Sequence, residues 1–227
     1  MTMPSPTPRT LALIHTVAGL VPVFEHLTRQ HLPGWETFNI VDESLLRNTI
    51  RTGELSRLTM RRLAGTVWSA VDGGADAVLV TCSSLGPAVD AAIPLCPVPL
   101  FRIDDGMALA ALEKGTRIGV LATLSTTLVP TTDLLKRHAA QAGVRVTLTS
   151  GVCEGAFARL TAGDRAGHDA LVRAELAAIA PKVDVVVLAQ ASMARALEDQ
   201  GDNGFSLPIL TSPELGVQYV RRALERA

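Results

Sequence analysis

Short apolar runs of four to six residues alternate along the chain with longer segments in which apolar residues recur every three or four positions. The runs predict strands at 11–15 ("LALIH"), 36–40, 76–81 ("DAVLVT"), 98–101, 117–122 ("RIGVLA"), 144–149, 184–189 ("DVVVLA") and 207–210. The amphipathic segments predict helices at about 20–31, 54–73, 86–92, 105–114, 127–142, 165–180 and 213–226, several closed by a glycine such as Gly73, Gly115 or Gly143. A run such as "VVVL" is apolar on both faces, as a parallel sheet covered by helices requires. The fold class expected is α/β, with parallel, Rossmann-like sheets.

The chain also resembles itself. Asp76 and Asp184 lie 108 residues apart, and so do Cys82 and Gln190. The strand ending at Thr16 resembles the one ending at Thr123, 107 residues later. Two βαβ halves of similar order follow from this, with their strand ends facing one cleft. The boundaries expected are a disordered Pro-, Ser- and Thr-rich leader at 1–9, a first lobe of 10–115 plus 209–227, and a second lobe of 116–208.

Composition narrows the function more by exclusion than by indication. Hydrophobic residues are 48% and charged residues 19% of 227, with a formal net charge of −1. That composition is globular, and it lacks the basic excess that nucleic acid or an anionic membrane surface would need. The apolar stretch at 11–24 is broken by His15 and Thr16, follows few positive charges and lacks a small-residue cleavage pattern, so it reads as a buried strand and turn. No run approaches the roughly 20 apolar residues of a membrane span. Three cysteines without CxxC spacing fit a reducing compartment, and a cytoplasmic location is the expectation. His and Cys are too scattered for a metal site by spacing, so neither metal nor cofactor is expected.

In parallel α/β sheets, ligands bind beyond the carboxyl ends of the strands. The residues there are His15 and Thr16, Thr81 to Ser84, Thr123 to Thr127, and Gln190 to Ser192. This ring is rich in hydroxyls and holds one thiol. It has no carboxylate pair, no Gly-rich phosphate loop and no GxSxG, which removes glycosidase, nucleotide-binding and α/β-hydrolase chemistry. Hydroxyls and backbone N–H groups at helix starts suit a carboxylate or a polarised carbonyl oxygen. Cys82 follows a strand and precedes a helix start, where a thiol pKa is lowered and the group can move a proton or attack as a nucleophile; the alternative is a small buried hydrophobe. Cys96 and Cys153 fit that second use better, with Cys153 and Glu154 as remoter candidates.

The segments "VTCSSLG", "RIGVLATLSTT" and "VVLAQASM", in this order and spacing, resemble the cofactor-independent aspartate/glutamate/hydantoin racemase superfamily, the group that also contains maleate isomerase and arylmalonate decarboxylase. The likeness spans roughly residues 10 to 220. It implies a pseudo-symmetric fold with the active site between two lobes, a small carboxylic-acid substrate, no nucleic-acid or membrane partner, and a homo-oligomer. In those racemases two cysteines flank the substrate's α-carbon. Cys82 matches the first; where the second stands in a motif like "LGCAGM", this chain reads "LAQASM", with Gln190 in the cysteine's place.

A carboxamide neither gives nor takes a proton at carbon near neutral pH, though its N–H groups can hold a developing enediolate oxygen. One thiol opposite one amide therefore points to isomerase or decarboxylase-type lyase chemistry ahead of two-base racemisation, with Cys82 as the catalytic group. The substrate-binding set expected is His15, Thr16, Ser83, Ser84, Thr123, Ser125, Thr126, Gln190, Ala191 and Ser192. Three alternatives stay open at this level: a one-cysteine racemase that uses another base, with His15 the candidate; an inactive small-carboxylate binder; and, for the Ser and Thr residues, plain helix capping.

Overall fold

The structure is a computed structural model that describes residues 8–197 and 205–226. Its strands are β1 (Arg9–His15), β2 (Trp35–Val41), β3 (Ala77–Val80), β4 (Leu100–Arg102), β5 (Arg117–Ala122), β6 (Thr147–Val152), β7 (Val185–Leu188) and β8 (Ile209–Thr211). The α-helices are α1 (Val21–His31), α2 (Glu43–Thr52), α3 (Arg57–Asp72), α4 (Gly86–Ala92), α5 (Asp105–Lys114), α6 (Ser125–Gln141), α7 (Ala156–Thr161), α8 (Arg165–Ile179) and α9 (Ser212–Leu224). Short 3-10 segments at Ala18–Leu20, Ser83–Leu85 and Ala191–Leu197 follow three of the strands that feed the site. No described helix is long and apolar enough to cross a membrane.

The strands form two all-parallel sheets, in the orders β2-β1-β3-β4 and β6-β5-β7-β8. The same order occurs twice, and so does the register. Leu11 to Ile14 pair with Ala77 to Val80 in the first sheet, and Ile118 to Leu121 pair with Val185 to Leu188 in the second. The 107- and 108-residue offsets are therefore kept side by side through both central strand pairs. The repeated aspartates also do one job twice. Asp76 Oδ2 accepts the N–H of Thr10 at 2.7 Å, and Asp184 Oδ2 accepts the N–H groups of Thr116 and Arg117 at 3.1 and 2.8 Å. Each fastens the start of its strand to the neighbouring one, so the paired strand ends lie level at the opposite edge.

Each sheet is buried on both faces, which is why its central strands are unbroken runs of Val, Leu, Ile and Ala. In the first, Ala12, Ile14, Val78 and Val80 pack with Leu63 and Val67 of α3, while Leu11, Leu13 and Leu79 pack with Phe24 of α1 and Val217 and Val220 of α9. In the second, Ile118, Val120 and Val187 meet Met107 and Ala111 of α5 and Leu134 of α6, and Leu121, Val186 and Leu188 meet Val172 and Leu176 of α8.

These contacts redraw the lobe boundaries. Residues 105–114, grouped by the sequence pattern with the first lobe, supply α5 to the core of the second. Residues 209–211, also grouped with the first lobe, pair as β8 with β7, and only α9 crosses back. The exchange needs α5 and α9 to touch closely. A Cβ on Gly106 would stand 2.1 Å from the Leu215 carbonyl oxygen, and one on Gly216 would stand 2.2 Å from that of Ile103. Of the leader expected at 1–9, residues 1–7 lie outside the described residues, and Arg9 already belongs to β1.

Two helices are absent from the sequence pattern. In α2 only Leu45 and Thr49 are buried, so its apolar stripe is too narrow to register; Asp42 caps its start by accepting the Ser44 N–H, and Gly53 at φ 72° ends it. The six-residue α7 spans less than two turns and starts from Gly155 at φ 77°. Both helices border the site.

Candidate active site

Because the strands within each sheet are parallel, β1 and β3 deliver Thr16 and Cys82 to one edge of the first sheet, and β5 and β7 deliver Thr123 and Gln190 to one edge of the second. A cavity of about 310 Å³ lies between the lobes. The first lobe lines it with Thr16, Thr81, Cys82, Ser83 and Ser84; the second with Thr127, Gln190, Ala191 and Ser192. Ser84 Oγ and Thr127 Oγ1 hydrogen-bond across the lobes at 2.7 Å, both buried. A second tie lies beside it, where Arg137 of α6 donates to Asp90 of α4, which also accepts from the buried Arg102.

Cys82 stands at the start of the 3-10 turn Ser83–Leu85 without capping it, and the Thr16 hydroxyl and the backbone N–H groups of Ser84 and Leu85 lie on the side of its sulfur that would carry charge. These donors favour the thiolate. Burial opposes them and wins, helped by the nearby Asp104 carboxylate, so the thiol pKa is pushed up. A helix start is expected to lower it. A three-residue 3-10 turn offers two N–H groups but no long aligned dipole, and it cannot offset the loss of water. At neutral pH the resting group is the thiol, equipped to give a proton and supported by three donors once the proton has left.

Gln190 is held differently. Its Oε1 accepts the backbone N–H of Thr123 at 2.5 Å and the Thr123 hydroxyl at 2.9 Å. A backbone N–H can only donate, so the carboxamide orientation is fixed. The Nε2 hydrogens have no hydrogen-bond partner among the described residues, and Gln190 lines the cavity. The side chain thus presents a donor, backed by a Thr123 that is itself 4% exposed.

The remaining candidates divide. Ala191 and Ser192 open the 3-10 segment after Gln190 and lie on the cavity wall. His15 does not reach it. The ring is fully buried, tilted against Phe24, with Nδ1 on Thr81 Oγ1 and Nε2 on Asn39 Oδ1, both at 2.9 Å. Burial also lowers its pKa, against the pull of Asn39 and Glu25. With both nitrogens engaged it steadies Thr81 rather than facing the cavity. Ser125 is exposed, and Thr126 Oγ1 is buried with no partner, neither of them on the wall; Thr123 acts from behind Gln190. In this segment it is Thr127 that reaches the cavity, because α6 begins at Ser125, two residues earlier than the periodicity predicts, and turns the hydroxyls accordingly.

Cys153 is fully buried among Leu121, Val172 and Met193, its thiol pushed up to about 12 by burial and by Glu175. Cys96 packs beside the first core. Among the described residues, no group of three or more His, Cys, Asp or Glu is placed to hold a metal. The apolar part of the wall comes from residues the sequence did not single out: Val17 and Leu20, Leu46 of α2, and Phe157 and Leu160 of α7.

A family model described as Asp/Glu/Hydantoin racemase matches residues 14–220. No curated protein sequence matches the chain. Among solved structures, glutamate racemase from Francisella tularensis in complex with D-glutamate superposes with a TM-score of 0.74 at 13% identity, over 96% of this chain and 81% of that one. Allantoin racemase from Klebsiella pneumoniae gives 0.69 at 17% identity, over 96% and 88%. An aspartate racemase homologue from Pyrococcus horikoshii gives 0.68 at 15% identity, over 97% and 100%. At these identities the superpositions establish a shared two-lobed α/β fold.

Proposed function

The chain belongs to the Asp/Glu/hydantoin racemase family, and from that premise we propose that it is an enzyme performing acid–base chemistry, without a cofactor, at the carbon next to a carboxylate of a small organic acid, with Cys82 as its one proton carrier. The observation that supports this most is the pair at the matched strand ends: a neutral thiol at the end of β3, and at the end of β7 a carboxamide turned so that only its N–H groups are free. In the decarboxylase-type form of the reaction, a carboxyl group leaves as carbon dioxide and its bonding electrons pass into the remaining carboxylate as an enediolate. Gln190 Nε2 donates to the enediolate oxygen that gains charge, and the Cys82 S–H gives its proton to the α-carbon. The thiolate left behind is met by Thr16 and the two N–H groups until solvent returns the proton.

A one-cysteine racemase needs a base on the second face. His15 is tied at both ring nitrogens, which takes away its support as that base. An inactive binder is favoured by one observation, the raised thiol pKa, because a resting thiolate is the better proton acceptor. One experiment separates these readings. The protein is incubated in heavy water with malonates, amino acids, hydantoins and dicarboxylates, and the mixtures are followed by proton NMR. Single-deuteron incorporation with loss of a carboxyl group, abolished in Cys82→Ala, is the result expected. Exchange undiminished in Cys82→Ala would overturn the role of the thiol, and no change in any acid would leave the binder.

A further inference from the structure

We propose that the acid bound in this cavity carries an apolar side group where aspartate and glutamate carry a second carboxylate. The inference rests on the reading that the cavity between the lobes is the substrate site, and it names what that site selects.

The cavity lining is of two kinds. Its polar groups include the hydroxyls of Thr16, Ser84, Thr127, Thr161 and Ser192, the Cys82 thiol and the Gln190 amide. Its larger apolar side chains are Val17, Leu20, Leu46, Phe157 and Leu160, three from the first lobe and two from the second. Among the described residues lining it there is no Lys, Arg or His. The residues outside the described ones, 1–7, 198–204 and 227, contain none of these three types either. Arg47 of α2 is exposed and does not line the wall, and two other guanidinium groups near the site are committed elsewhere. Arg102, against Gly86, is buried with Asp104 and Asp90, and Arg195, within the segment after Gln190, pairs with Asp169.

One carboxylate can be carried by neutral donors when several N–H and O–H groups reach it, and Thr16, Ser83, Gln190 and Ser192 supply such groups on this wall. A carboxylate at the end of the side chain, as in aspartate and glutamate, would have to lie against Phe157 and the leucines, stripped of water and without a cation, the arrangement that buried charge tolerates least. An isobutyl or benzyl group in that place loses water favourably. A volume of about 310 Å³ is at the small end of ligand sites, so one such group and the reacting carbon with its carboxyl groups fill it.

The test uses two acids of similar size, 4-methylpentanoate and glutarate, titrated calorimetrically into the full chain. The first is expected to bind at least about tenfold more tightly. Leu46→Arg and Phe157→Arg, placed in different lobes so that misfolding of one does not decide the matter, are each expected to narrow or reverse that ratio. Equal or tighter binding of glutarate to the unchanged protein, or measurable binding of neither acid at millimolar concentration, would overturn the proposal. The two readings fail separately. Apolar preference with no deuterium exchange in any acid leaves this inference standing and removes the proton chemistry. Cys82-dependent turnover of aspartate or glutamate does the reverse.

Discussion

At the end of β3 the Thr16 hydroxyl from the adjacent strand end favours the charged form of the Cys82 thiol; at the end of β7, 108 residues on, the carboxamide of Gln190 accepts the N–H and hydroxyl of Thr123. The threonines correspond through the strand registers, and each stands beside the polar group at the tip of the neighbouring strand. The scaffold is the same while the held group differs: one can part with a proton and the other cannot. Symmetry of fold therefore does not carry symmetry of chemistry. The Thr16 hydroxyl steadies a charge that forms during a reaction, whereas Thr123 spends both of its donors on fixing which end of an amide faces the cavity.

Removing the thiol should cost most. Cys82→Ala is expected to lower kcat on the order of 10³-fold on whichever acid the heavy-water screen identifies, with little change in KM, because a proton donor acts in the transition state. Gln190→Cys tests the comparison from the other side. It places a second thiol where the repeat has an amide, and the expected outcome is exchange on both faces of the α-carbon, read as appearance of the opposite enantiomer on a chiral column. If Gln190→Cys instead only lowers turnover, the two strand ends are not equivalent in position, and the correspondence would stop at the backbone. Gln190→Glu keeps an oxygen for Thr123 but loses the N–H donors; a fall of roughly 10²- to 10³-fold in kcat is expected, as for loss of an oxyanion donor.

A smaller effect distinguishes the two threonines. Thr16→Val removes one of three groups that favour the thiolate, so the thiol pKa should rise further. Alkylation of Cys82 followed by mass spectrometry is expected to be slow at pH 7, to accelerate only above the ordinary thiol range, and to need still higher pH in Thr16→Val. Thr123→Val leaves the backbone N–H on Gln190 and should change kcat several-fold without moving that alkylation profile. A profile shifted equally by both variants would mean that the threonines are not divided between charge and orientation in this way.

How far the site could be read from the sequence follows from the same contrast. The repeat was legible because it is written in consecutive residues: an aspartate, a run buried on both faces, and a polar residue at the end. Thr16, Cys82, Ser83, Ser84 and Gln190 to Ser192 were legible for the same reason, since strand ends in a parallel sheet share an edge. The direction of the Cys82 pKa was not, because burial depends on packing with residues of α2 and α3, elements remote in the chain. Leu46 and Phe157 were invisible for a related reason. Helix α2 is short and mostly polar and α7 is shorter still, so neither stands out along the chain, and wall residues on such elements carry no motif. Thr127 replaces Thr126 on the wall because α6 starts two residues before the apolar periodicity does, and two residues rotate a helical side chain by about 200°.

The smallest expected effect lies at the opposite edge of the sheets, where the repeat is also unequal. Asp76 holds one N–H, whereas Asp184 holds two and also the Arg117 guanidinium, with Oδ1 2.6 Å from Nη2. The Arg117 side chain, then the backbone donors, keep the Asp184 carboxyl below the usual carboxylate range. A lowered pKa means that the folded state binds its proton less readily than the unfolded chain. The stabilisation is therefore present above the ordinary Asp pKa of about 4 and is lost as pH falls through the folded value. Asp184→Asn should lower the urea midpoint at pH 7, and the gap between variant and parent should close on acidification. Because both partners face solvent, the effect should be modest and should shrink further in salt. Asp76→Asn lacks an arginine partner and should give the smaller change at pH 7, with little dependence on salt. If the two variants behaved alike in pH and salt, the arginine would contribute nothing, and the second copy of the strand clamp would be no stronger than the first.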